Sequence, residues 1–187
     1  MIPNSWRKYT VANITVPVWV NDFVKRVVQL KKLSKQPDFG QSGLWLGGLL
    51  FPEAYLTATR QSVAQKNNWS LEELVMDFSI NPKPEELASN PAGFVLSGFS
   101  MQGAEYSTAD ESIKLTESLG STLPLVNLKW VHKSQIESDA DDHLIQIPVY
   151  LNKQRTNLIT SVKIQTQGIP SYVWYQRGVA FFSWSAE

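Results

Sequence analysis

The stretch Leu44 to Ile80, LWLGGLLFPEAYLTATRQSVAQKNNWSLEELVMDFSI, constrains the fold most, because it carries helix start and stop signals at close spacing. Pro52 suits a first helical turn, where a missing N–H costs nothing, and Glu53 suits the positive end of the helix dipole. A helix is therefore expected from about Phe51 to Lys66, where Asn67 and Asn68 offer side chains that compete with the backbone. Ser70 and Glu73 then have the S-x-x-E spacing of a capping box, with Trp69 and Leu74 at the flanking staple positions. The alternation of Met76, Asp77, Phe78, Ser79 and Ile80 is the period of a half-buried strand.

Upstream, Thr15 to Lys35 reads as an amphipathic helix. Trp19, Phe23, Val27, Leu30 and Leu33 fall on one stripe, widened by Val20, Val24 and Val28. Lys25, Arg26, Lys31, Lys32 and Lys35 occupy much of the remainder; such a basic face is solvated, or meets a partner or a membrane surface. Gln36 to Gly43 is a turn-rich linker.

Downstream the period changes to two. Asn81 to Pro91, with three prolines, is a loop. Phe94 and Leu96 lie in one phase while Phe99 and Met101 lie in the other, so a bulge is expected at Gly98. Ala109 to Gly120 reads as polar loop with a short helical turn. Strands follow at Val126 to Val131, at His143 to Leu151, where Pro148 calls for an edge or an irregularity, at Leu158 to Ile164, and at Val179 to Trp184. The expectation is an α+β fold: a helical subdomain over 1–74 (helices at about 16–35, 52–66 and 70–74), packed on an antiparallel, barrel-like sheet of about six strands over 75–187.

Composition narrows the function. The 187 residues include 43% apolar residues and seven Trp, enough for a sizeable core. Charge is balanced at 17 against 17, which leaves no global field for nucleic acid or acidic lipid. The absence of Cys removes disulfides, thiolate catalysis and Cys-ligated zinc. No apolar run is long enough for a membrane-spanning helix and no signal peptide is visible, so the protein reads as soluble and intracellular. The abrupt opening, Ile2-Pro3-Asn4-Ser5-Trp6, reads as a piece of something longer.

Catalytic patterns are weak. Gly47-Gly48 matches no phosphate-binding loop, and close packing explains it better. Gly98 to Gly103 resembles a nucleophile elbow around Ser100, but Gln102 stands where glycine is needed. Asp139, Asp141, Asp142 and His143 lack the frame of an EF-hand and read as a turn, while His132 reads as structural. Glu53, Glu72 and Glu73 are explained by first helical turns. Trp174, Tyr175, Phe181, Phe182 and Trp184 could stack sugars or bases, but fit a core better. No catalytic residue, cofactor or metal ligand is assigned, and two readings stand beside a structural domain: a lipid- or glycan-binding barrel and a Ser100 hydrolase.

Resemblance carries the reading further. Leu46 to Gln61 (LGGLLFPEAYLTATRQ) and Asn68 to Leu74 (NWSLEEL) resemble the C-terminal region of dynein heavy chains. Gln102-Gly103-Ala104, Pro148 to Asn152 (PVYLN), Arg177 to Ala180 (RGVA) and Ile2-Pro3-x-x-Trp6 add to the likeness, and the P-E-A-Y-x-T-A-T-R-Q wording is closer to cytoplasmic than to axonemal forms. The loops Asn81 to Pro91 and Ser134 to Asp142 depart from it. The resemblance implies the last part of a large motor subunit, following the sixth AAA+ module and packing on one face of the ATPase ring. ATP, Mg and microtubules would engage upstream segments only, and this domain would tune processivity and force. Lys25, Arg26 and Arg60 are the candidate ring-interface residues.

Overall fold

The computed structural model describes Asn4 and residues 15–35, 43–80, 93–117, 120–136 and 144–183. Three α-helices are present among them: α1, Val16–Lys35; α2, Pro52–Asn67; and α3, Ser171–Gln176. α2 has the expected ends. Pro52 is its first residue and Glu53 lies in its first turn. At the other end Asn68 takes the left-handed conformation (φ 54°), which asparagine tolerates better than most residues. The Asn68 and Trp69 N–H groups return to Gln65 O and Ala64 O, at 3.4 and 3.0 Å, and close the last turn as a Schellman motif.

The capping box also forms. Ser70 N–H donates to Glu73 Oε2 at 3.3 Å, and Ser70 Oγ accepts from the Glu72 N–H at 3.4 Å, which starts the helical turn Leu71–Glu73. Leu74 is buried, and Trp69 packs against the core beside it.

The described strands form two larger sheets and a hairpin. The first sheet comprises β1 (Leu44–Trp45), β2 (Leu74–Ile80), β3 (Gly93–Ser97) and β8 (Val126–His132), in the order β1-β3-β8-β2. The second comprises β4 (Ser100–Gln102), β7 (Ser121–Thr122), β9 (Leu144–Tyr150), β10 (Leu158–Gln165) and β11 (Ala180–Phe182), in the order β10-β9-β11-β4-β7. The hairpin joins β5 (Ala104–Ser107) to β6 (Ser112–Leu115). Inward residues of both sheets share one core: the Phe78 ring of β2 lies 5.5 Å from the Phe181 ring of β11, and β10 runs beside β2.

The α+β class and helices against a sheet-rich body are thus observed, with more and shorter strands than expected and no closed barrel among the described residues. Two pairings are parallel, β1 with β3 and β11 with β9, each joining segments far apart in sequence. The phase slip at Gly98 is real but has another cause. Gly98 (φ +71°) lies between β3 and β4, so the backbone passes from one sheet to the other there and the facing residues change with it.

Three local readings are settled by the structure. The 109–120 segment holds strand β6 in place of a helical turn, because Asp110 accepts from both Ser107 and Lys114 and closes a hairpin. β9 is an interior strand, and the irregularity expected of Pro148 is present beside it: the β9–β10 register shifts between Leu158 and Thr160, and β11 pairs with β9 only from Val149 onward, so the proline nitrogen interrupts no observed pair on that side. Helix α3 was not expected from the sequence, being a single run of six residues with one β-branched and three aromatic side chains, and it is held by Trp174, which is fully buried. Asp139, Asp141, Asp142, His143 and Trp184 lie outside the described residues.

Candidate functional site

Trp45 is the junction of the molecule. Its indole Nε1–H donates to Ser183 O at 2.6 Å, and the Ser183 hydroxyl accepts from the Gly47 N–H at 2.8 Å, so the end of β11 is tied to β1. A Cβ on Gly47 would lie 1.8 Å from Ser183 O, and one on Gly48 would lie 2.5 Å from the Trp45 ring. Close packing is therefore what Gly47-Gly48 provides.

α1 is attached to this junction by polar groups. The Gln29 amide pairs with the Trp45 backbone as a strand would: Nε2–H donates to Trp45 O and Oε1 accepts from Trp45 N–H, both at 2.9 Å. Arg26 holds its guanidinium 5.0 Å from the centre of the Trp45 ring and pairs with Asp22 at 2.7 Å. The face turned to the body is Trp19, Asp22, Arg26, Gln29 and Leu33, all half-buried at alternating spacings of three and four.

That register overturns part of the expected packing stripe. Trp19, Val27 and Leu33 are half-buried, but Phe23 and Leu30 are exposed, together with Val16, Val20, Val24 and Val28. Val24 and Val28 keep 51% and 59% of their surface, and no residue of α1 is fully buried. Full burial of such a side chain is worth about 1.5–3 kcal/mol, so each half-exposed residue has roughly 1 kcal/mol still to gain from a partner. A second outward feature is Leu50-Phe51, 78% and 73% exposed between buried Leu49 and Pro52.

The structure separates the three candidate interface residues. Lys25 is on the exposed side of α1, while Arg26 faces the body. Arg60 is half-buried: its Nη2 donates to Leu71 O and Leu74 O, at 2.6 and 3.2 Å, and its guanidinium lies 5.5 Å from the Trp130 ring. Trp130 Nε1–H in turn donates to Thr59 Oγ1 at 3.0 Å. Arg60 thus fastens α2 to the Leu71–Glu73 corner and to β8.

Other chemical candidates are dispersed. The Ser100 hydroxyl is buried with no hydrogen-bond partner. His132 uses Nδ1 on Ser134, at 2.7 Å, and Nε2 beside Glu73 Oε2, at 3.5 Å, with Trp69 against its ring. The backbone N–H of Ser70, then His132, hold the Glu73 carboxyl below the ordinary carboxylate range. Glu53 stays in its first helical turn. Trp174, Phe181 and Phe182 are core, whereas Tyr175 is exposed. No group of three or more metal-ligating side chains occurs among the described residues, and no described helix is long and apolar enough to cross a membrane.

A family model described as the C-terminal domain of the dynein heavy chain matches residues 1–183. The protein belongs to this family of dynein C-terminal domains. It is 41% identical to a cytoplasmic dynein heavy chain of Paramecium tetraurelia over 97% of its length. Identity is 39% to that of Drosophila melanogaster and 35% to that of Dictyostelium discoideum, in each case over all of its residues. In all three the match spans only 4% of the relative. This dynein C-terminal domain is thus similar to a small part of a motor subunit, and the resemblance on Leu46 to Leu74 is borne out.

Proposed function

We propose that this dynein C-terminal domain is a non-catalytic regulatory piece of a cytoplasmic motor subunit. It packs on the AAA+ ring of the same polypeptide and tunes processivity in microtubule transport. ATP, Mg and the microtubule are engaged by other segments of the heavy chain. The observation that carries this reading is α1: a long helix fixed to the body by Gln29 and Arg26, with an apolar face left in water. A lone domain gains nothing from that arrangement, whereas a domain with a large partner buries the face on it.

Docking tunes a motor only if the contact differs between ring states, since a contact equal in both shifts no equilibrium. Lys25 is proposed to meet the ring directly. Arg26 and Arg60 are proposed to act by fixing Trp45 and the α2 corner, which set the attitude of the docked surface.

The test is a full-length heavy chain with Val20→Asp and Val24→Asp together, and separately one with Lys25→Glu, measured for velocity, run length and ATPase rate. Run length is expected to change most with the Asp pair, at an ATPase rate that stays measurable. Wild-type values for all three quantities in both variants would sink the proposal.

A further inference from the structure

The outward side of α1 has a polarity that specifies its seat. Val20, Val24, Val28, Lys31 and Lys35 follow one another at spacings of four, four, three and four, and therefore lie along one face. All five are exposed. The first three turns of this face are apolar, and the last turn and a half is cationic.

Within the described residues α1 offers these lysines no carboxylate. The only acidic residue of α1 is Asp22, which is turned inward and paired with Arg26. Lys31 and Lys35 sit four apart, a like-charge spacing that disfavours the helix by about 0.2–0.5 kcal/mol. The negative end of the helix dipole offsets part of this for charges in the last turn. Among the described residues neither lysine side chain has an ion-pair partner.

We propose that α1 seats in an apolar trough on another segment of the same heavy chain, and that the far end of the trough carries Asp or Glu side chains meeting Lys31 and Lys35. This rests on the docking reading above and adds the chemistry and direction of the seat. Charge complementarity is the ground for the acidic end: an all-apolar trough covering this face would bury two ammonium groups without partners. The same polypeptide is the occupant because the matched region is 4% of each relative, so the remainder is tethered to the helix at high effective concentration. The acidic end also fixes which way the helix lies, since reversal would place valines against carboxylates.

The experiment uses the full-length heavy chain. Zero-length carbodiimide coupling, followed by peptide mass spectrometry, is expected to join Lys31 or Lys35 to an Asp or Glu of another segment of the same polypeptide. Val24→Cys is expected to react with maleimide about tenfold more slowly than Tyr172→Cys, an exposed control 62% accessible on α3. Lys31→Glu with Lys35→Glu should abolish the crosslink and speed the labelling at position 24.

If Val24→Cys is protected but neither lysine couples to a carboxylate, the acidic seat is overturned while docking survives. If Val24→Cys reacts as fast as the control, both readings fall. Crosslinks found only between two copies of the heavy chain would overturn the intramolecular seat.

Discussion

α1 and α2 are helices of similar length, 20 and 16 residues, held by opposite means. α2 has the weaker segregation of apolar residues, yet it buries Pro52, Leu56, Val63 and Ala64 and satisfies its polar neighbours through Thr59 and Arg60. α1 has the clearer apolar stripe, yet it meets the body through Gln29 and Arg26 and buries nothing completely. Periodicity reports which face of a helix is apolar, and the body decides whether that face is used at home. A surplus of apolar face over what the fold consumes points to a second partner.

The sharpest way to break this comparison is to truncate both helices. Leu56→Ala leaves a cavity beside the core and is expected to cost about 2–5 kcal/mol. Val24→Ala, on the outward face of α1, is expected to stay within about 0.5 kcal/mol of wild type. Urea unfolding of the 187-residue protein measures both. Equal losses would mean that α1 is held by its apolar face after all.

A smaller and more local effect is expected from Gln29→Leu. It removes both hydrogen bonds to the Trp45 backbone and leaves a half-buried donor and acceptor unpaired, a cost of about 1–3 kcal/mol. Hydrogen exchange should quicken across α1 and leave α2 unchanged. Uniform quickening throughout the molecule would show that Trp45 stabilises the whole fold and not the attachment of one helix.

Local chemistry was the legible part of this fold. Pro52, Asn68 and the Ser70/Glu73 pair act within a few residues of themselves, so their spacing alone placed the ends of α2 and the corner after it. Features set by distant segments were not legible. Gly47 is required by Ser183, 136 residues away, and the parallel pairings of β1 and β11 depend on strands elsewhere in the sequence. The phase slip at Gly98 was visible, but a bulge and a change of sheet leave the same mark on alternation. At the candidate site, the basic and apolar residues of α1 were legible, but the face chosen by the body was not, because Gln29 gave no periodic signal. Its ability to pair like a strand with Trp45 could have been found only by asking what an amide flanked by valines and lysines is for.

The smallest expected effect tests the one corner where local reading was complete. Glu73 accepts from the Ser70 N–H and lies beside His132, and these contacts lower its pKa; Lys133 adds a weaker attraction, against a small opposing effect of burial. A carboxyl with a depressed folded pKa stabilises the fold above its unfolded pKa, and that contribution is lost as pH falls through the folded value. The stability difference between wild type and Glu73→Gln should therefore be constant near neutral pH and shrink as pH drops below the ordinary carboxylate range. Urea midpoints of both proteins across that acidic range measure it. A difference that grows on acidification would assign the stabilisation to a protonated Glu73, and a difference of zero at neutral pH would leave the corner held by Arg60 on the Leu71 and Leu74 carbonyls.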